Sequence, residues 1–210
     1  MNPIGTAWRR ASLSFGACVL VALAGTGCAF HLSEEPAGDS AVSAKAFWEG
    51  TWMPEASGKD DGFTRTVTLT VRDVERGILD ASWIELTEGK PKIRTERIFI
   101  RRAGPWLLAS APLSAFFRPE SALFGKTLYA WARLEVLAGD LVVVSAPDAN
   151  AFAGYLDEPA RSATKKDRVV VTRVGMDLLG RLQPEDNAWM RPIVFRKLKQ
   201  PEDYPFPEDK

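Results

Sequence analysis

Hydrophobic and polar positions alternate through much of the chain between residues 47 and 198, and period-two alternation marks a half-buried β-strand. In RTVTLTVRDV (65–74), Val67, Leu69 and Val71 alternate with threonines. GILDASWIEL (77–86) keeps Leu79, Ala81 and Trp83 in one phase, which points Trp83 inward, and then slips at Ile84, predicting a β-bulge. FWEGTWM (47–53) predicts a short aromatic strand. RIFIRR (97–102) and PWLLASA (105–111) predict an antiparallel pair turning at Ala103-Gly104. LYAWARLEVL (128–137) and LVVVSA (141–146), joined by Ala138-Gly139-Asp140, predict a hairpin. RVVVTR (168–173) and PIVFRKL (192–198) read as two further strands.

Two stretches change period. DANAFAGYLD (148–157) opens on Asp148, a good N-cap, and spaces Ala149, Phe152, Ala153 and Leu156 for one helix face. VGMDLLGRLQ (174–183) groups Leu178, Leu179 and Leu182 before Pro184. Residues 114–127 read as a covering loop. Strands rich in Val and Thr, with Gly or Asp turns every 8–12 residues, predict a mainly β fold. The expected form is an antiparallel up-and-down barrel of about 8–9 strands, with two short helices near the C-terminal end.

The two ends of the chain obey different rules. Arg9 and Arg10 precede an apolar run of about 15 residues that exits through Gly25, Thr26 and Gly27, the layout of a secretory signal. The run is short for a membrane span, which needs about 20 apolar residues. Cys28 follows at once, with Leu23 and Ala24 upstream, and LAGTGC resembles the lipobox of bacterial lipoproteins. That resemblance implies cleavage before Cys28 and its acylation, with palmitate among the chains. Ala29 at the next position implies retention at the outer membrane, with the domain in the periplasm. The resulting map is a signal peptide over 1–27, a lipidated flexible tether over 28–45, the barrel over 46–199 and a Pro- and acid-rich tail over 200–210.

Removing residues 1–27 from the 210 leaves 183, a size suited to one domain. With Cys18 in the leader and Cys28 acylated, no disulfide or thiolate metal site is expected. Without Arg9 and Arg10 the 27 basic residues become 25, against 27 acidic ones. A balance near −2 with mixed signs gives no footprint for nucleic acid and no strong overall pull toward anionic lipid. The single histidine, His31, sits three residues after Cys28, so Ser-His-Asp and Cys-His catalysis and histidine-rich metal sites are not expected. Ser162-Ala-Thr-Lys165 matches a nucleophile–lysine spacing but falls in a polar loop. The carboxylate pairs Glu34/Glu35, Asp60/Asp61, Asp157/Glu158 and Glu185/Asp186 stand beside turn-forming or charged residues, where solvated acids belong. No cofactor, metal or enzymatic activity is expected.

Six tryptophans remain after the leader: Trp48, Trp52, Trp83, Trp106, Trp131 and Trp189. Tyr129 and Trp131 take the opposite parity to Leu128, Ala130, Ala132 and Leu134, so one strand has two apolar faces. Two readings fit: ordinary core with its outer face covered by helices, or a cavity lined by Trp83, Phe99, Trp106 and Trp131 for an apolar ligand. Glu49-Gly50-Thr51-Trp52 resembles the G-x-W that opens lipocalin barrels. The resemblance implies that Trp52 packs at a closed end under a cation from the last strand, for which Arg196 is the candidate, at on the order of 1 kcal/mol. AGDLVVVSAPDANAFAGYLDE and VVVTRVGMDLLGRLQ resemble the late strand–helix–strand–helix layout of uncharacterised lipocalin-like bacterial lipoproteins. The lipocalin T-D-Y signature is absent.

Three functions are compatible with these residues. The first is a non-enzymatic barrel anchored in the envelope through lipid on Cys28 and binding a small apolar molecule or lipid. The second is a module docking to other envelope proteins through the charged segments 157–168 and 199–210. The third is a carboxylate-dependent hydrolase.

Overall fold

The computed structural model describes residues 30–41, 45–55, 66–87, 90–115, 127–152, 169–171, 174–182, 188–190 and 192–198. The leader, Cys28, Asp60/Asp61, Asp157/Glu158, Ser162 to Lys165, Glu185/Asp186 and the tail lie outside the described residues. The strands are β1 (Phe30–Ser33), β2 (Ser40–Ala41), β3 (Gly50–Pro54), β4 (Val67–Asp73), β5 (Ile78–Thr87) and β6 (Lys90–Ala103). After them come β7 (Trp106–Pro112), β8 (Tyr129–Ala138), β9 (Leu141–Ser145), β10 (Val169–Val171) and β11 (Ile193–Lys197). Three single-turn helices accompany them: α1 (Lys45–Trp48), α2 (Ala149–Phe152) and α3 (Met176–Leu179).

Strands β3 to β9 pair each with the next, β9 pairs with β11, and β11 returns to β3, all antiparallel. The ring of eight strands is closed, as the alternation predicts, and closure removes the sheet edges that would otherwise need protection. β1, β2 and β10 are additions outside the ring.

Alternation fixes two faces for every strand. Val67, Leu69, Leu79, Ala81, Ile100, Leu134, Val142 and Phe195 join Trp48 and Trp52 in the interior cluster. Trp106, Leu108 and Trp131 point the other way and pack with Phe152, Val174, Leu179 and Leu182 in a second cluster on the outer wall. Asp148 caps α2 as its position suggests, its Oδ1 accepting from Ala151 N–H at 2.9 Å. α2 and α3 are the two short helices expected near the C-terminal end; they precede the closing strand β11 and carry Phe152 and Leu179 onto β7 and β8.

Four local readings differ from the structure. The segment FWEGTWM is not one strand: Phe47 and Trp48 belong to α1, and Gly50, at φ 129°, turns the chain into β3. A one-turn helix brings both rings to the barrel end, where extended backbone would send one of them outward. The pairing of β5 with β6 runs without a break from Ile78↔Phe99 to Thr87↔Lys90, so Ile84 marks no bulge and lies exposed on the outer face. Register shifts lie instead in β4 between Val71 and Asp73 and in β8 between Val136 and Ala138. β6 also starts seven residues before the strand predicted at 97.

Within the tether expected over 28–45, residues 30–33 and 40–41 are strands of the sheet and residues 34–39 connect them. β1 pairs with β8 through Leu32↔Ala130 and with β10 in parallel through His31↔Val170. β2 pairs with β6, and Leu32 and Ala37 are buried. Small polar residues in SEEPAGDS read as solvated chain, yet they suit a strap lying close against a wall. A Cβ at Gly38 would stand 2.7 Å from the Cβ of Arg101, and Gly38 takes φ 101°.

Candidate functional site

The turns 74–77, 104–105 and 139–140 lie at one end of the barrel, where α1 also sits. α1 plugs this end with aromatic rings. Phe47 stands edge-on to Trp48 at 4.7 Å and tilted to Trp52 at 5.5 Å. The Trp52 indole N–H donates to the Trp48 carbonyl at 3.0 Å, fixing the ring under the helix.

The cation over Trp52 is Lys197, not Arg196. Phe195 points inward, so Arg196 must point outward and Lys197 inward again. Lys197 stands in register with Trp52, its Nζ 5.8 Å from the ring centroid and donating to the carbonyls of Ala46 and Phe47 at 3.0 and 2.9 Å. Arg196 bridges Glu55 and Asp140 on the outer surface, and its hydrogen bond to Glu55 holds the guanidinium pKa above its ordinary value. Lys197→Met removes two charge-assisted hydrogen bonds and the ring contact, an expected loss of about 2–4 kcal/mol in urea denaturation. Arg196→Met leaves the midpoint close to wild type, because exposed ion pairs contribute little.

Above this plug the interior is not filled. Ala81 on β5, Ala109 and Ala111 on β7 and Ala130 on β8 occupy inward positions, and the volume their side chains lack leaves a cavity of about 100 Å³. Trp48 and Trp52 form its floor and Trp83 reaches it from the far end. Its walls are apolar apart from Ser110 and Glu96. Glu96 lies 3.7 Å from Arg94, whose Nε lies 3.5 Å from Glu85. The three charged groups are partly exposed and form a polar border where β5 and β6 leave the barrel.

The four aromatic candidates do not converge. Trp83 alone lines the cavity. Trp131 packs outside against Phe152 at 5.2 Å and Trp189 at 6.0 Å. Trp106 lies beside Trp189 and donates to the Leu179 carbonyl at 3.0 Å. Phe99 stands edge-on to Tyr129 at 5.7 Å, with the Arg101 guanidinium 6.0 Å from its centroid. The inward alanines were the missed signal: small residues recurring in the core phase of adjacent strands leave space between them.

A second concavity of about 300 Å³ runs along Trp106, Arg133, Glu135 and Val136 on the outer wall. Arg133 fills its aromatic side, 4.8 Å from the Trp106 centroid and 5.7 Å from that of Trp189, with Glu135 holding the guanidinium at 2.9 Å. The structure supplies this site's cation from within. Glu34 and Glu35 are exposed. Among the described residues no three His, Cys, Asp or Glu side chains converge as metal ligands, and no helix is long and apolar enough to cross a membrane.

No protein-family model matches the chain, and no curated protein matches it. Among solved structures it is similar to a DUF4909 family protein from Staphylococcus aureus subsp. aureus Mu50, with a TM-score of 0.39 and 10% identity over 74% of this chain and 100% of that one. A likeness that distant carries no functional argument, and the closed barrel rests on the pairing ladders themselves.

Proposed function

We propose that this protein is a non-enzymatic envelope lipoprotein, anchored at the outer membrane through lipid on Cys28, whose barrel takes the apolar end of a small molecule or lipid. The observation that supports the binding reading is the cavity left by the four inward alanines. Its size bounds the ligand. A dry cavity of about 150 Å³ holds one benzene, and whole drug-sized ligands occupy roughly 300–1,000 Å³. Space of about 100 Å³ therefore suits a chain terminus of a few carbons, with the remainder of the molecule passing Trp83 toward the charged border. The leader, the lipobox and Ala29 support the anchor and its location.

Ala81→Leu tests the cavity. Leucine in a packed core costs about 1–3 kcal/mol, whereas here its added carbons enter existing space, so stability should hold within about 1 kcal/mol. Binding should fall at least about tenfold, equivalent to roughly 1.4 kcal/mol. Native mass spectrometry of the processed chain, beside organic extraction, reads the ligand: a stoichiometric apolar adduct on wild type that is lost from Ala81→Leu. A bare protein mass that is unchanged after incubation with total bacterial lipid would overturn the binding reading.

A further inference from the structure

We propose that the ligand of the barrel is an organic cation, a primary amine on a short apolar chain, and that Glu96 selects it. This deepens the binding reading above and rests on it. Glu96 lines the cavity and also reaches the charged border. It stands in register with Ala81, one of the alanines that open the cavity, so a chain end lodged beside Ala81 has Glu96 on the adjoining strand. Trp83 lies two residues beyond Ala81 on the same face and lines the cavity too. That makes it the diagonal neighbour of Glu96, close enough for large side chains to meet. The cavity therefore has its acid and an indole ring together at the end through which the rest of the ligand leaves.

The Glu96 carboxylate has room for a new donor. Among the described residues its ion contact is the Arg94 guanidinium at 3.7 Å, longer than a hydrogen bond, and no other donor reaches it. Arg94 also faces Glu85, at 3.5 Å, and is not one of the residues that line the cavity. Lys92, opposite Glu85 on β6, is exposed and forms an ion pair with neither acid. A carboxylate or phosphate head would enter beside two acids that share one guanidinium. An ammonium head instead brings Glu96 a cation at hydrogen-bond distance. A hydroxyl would also donate to Glu96 but adds no charge to attract it. The indole beside the acid favours the same choice, because aromatic faces attract cations. Glu96 and Arg94 are partly exposed, so the ammonium keeps some of its water while the chain behind it is buried.

Calorimetric titration of the processed full chain in detergent compares hexylammonium, hexanoate and hexanol, which differ only in the head. The Ala81→Leu protein in the same detergent is the blank for uptake by micelles. Hexylammonium should bind at least about tenfold more tightly than either other probe. Glu96→Gln keeps the size of the side chain and should erase that advantage. Glu75→Gln, in the exposed turn at the plugged end, should keep it. The three probes on wild type decide the charge preference even where a variant fails to fold. Hexanoate binding best, hexanol matching hexylammonium, or an advantage that survives Glu96→Gln each overturns the assignment and leaves the cavity reading standing. So does an apolar adduct in native mass spectrometry on a protein that takes none of the three probes. No binding by any probe, together with a bare mass, overturns the cavity reading and the amine with it.

Discussion

Trp131→Ala should destabilise the protein by about 3–5 kcal/mol, the range for truncating a large aromatic in a packed core. Trp131 is 1% exposed and stands edge-on to both Phe152 and Trp189. Its loss leaves a hole between the barrel wall and the elements that cover it, and one-turn helices such as α2 cannot hold together through their own hydrogen bonds. For a domain of this size the melting temperature should fall by roughly 6–20 °C. Trp131→Phe should cost far less. Among the described residues the Trp131 Nε1 has no hydrogen-bond partner, so phenylalanine keeps the ring contact and removes a buried polar atom. Trp106→Phe should hurt more than Trp131→Phe, since it leaves the Leu179 carbonyl without its indole donor. A Trp131→Ala protein that melted like wild type but lost a bound ligand would return Trp131 to the cavity-lining role that its sequence position allows.

The reason Trp131 could be read either way is physical. Alternation tells which residues share a face, and it separated Trp131 from Ala130 and Ala132 correctly. It cannot say which face is inside when both are apolar. That choice is made by segments far along the chain, Phe152, Leu179 and Trp189, whose contact with β7 and β8 leaves no local trace. Where only one face is apolar, as with Leu79, Ala81 and Trp83, the phase was enough to point Trp83 inward. Lys197 was equally accessible, because Phe195 in the core phase dictates the direction of its two successors. The lipocalin resemblance instead pointed to Arg196, one residue out of phase. Residues 90–96 hid for another reason: Lys90, Lys92, Arg94 and Glu96 occupy one face of β6 and Pro91, Ile93 and Thr95 the other, so neither face carries the apolar stripe that marks a strand.

Residues 30–41 hold the largest consequence of the difference between sequence and structure. A chain beginning at Lys45 should be about 3–7 kcal/mol less stable than one beginning at Ala29. Leu32 is 1% exposed, and burying such a side chain contributes about 1.5–3 kcal/mol. Ala37 N–H donates to Ser110 Oγ at 2.9 Å, Gly38 N–H to the Val174 carbonyl at 2.8 Å and Asp39 N–H to the Arg102 carbonyl at 2.9 Å. Three such bonds contribute about 1.5–4.5 kcal/mol. Domains are stable by about 5–15 kcal/mol in all, so the shortened chain should unfold at far lower urea or fail to fold. Gly38→Ala in the longer chain is the finer probe. Its positive φ and the 2.7 Å approach to Arg101 should together cost about 1–3 kcal/mol without removing any contact by truncation. Urea midpoints read both variants. If the chain from Lys45 matched the longer one and Gly38→Ala were neutral, residues 30–41 would be a tether after all.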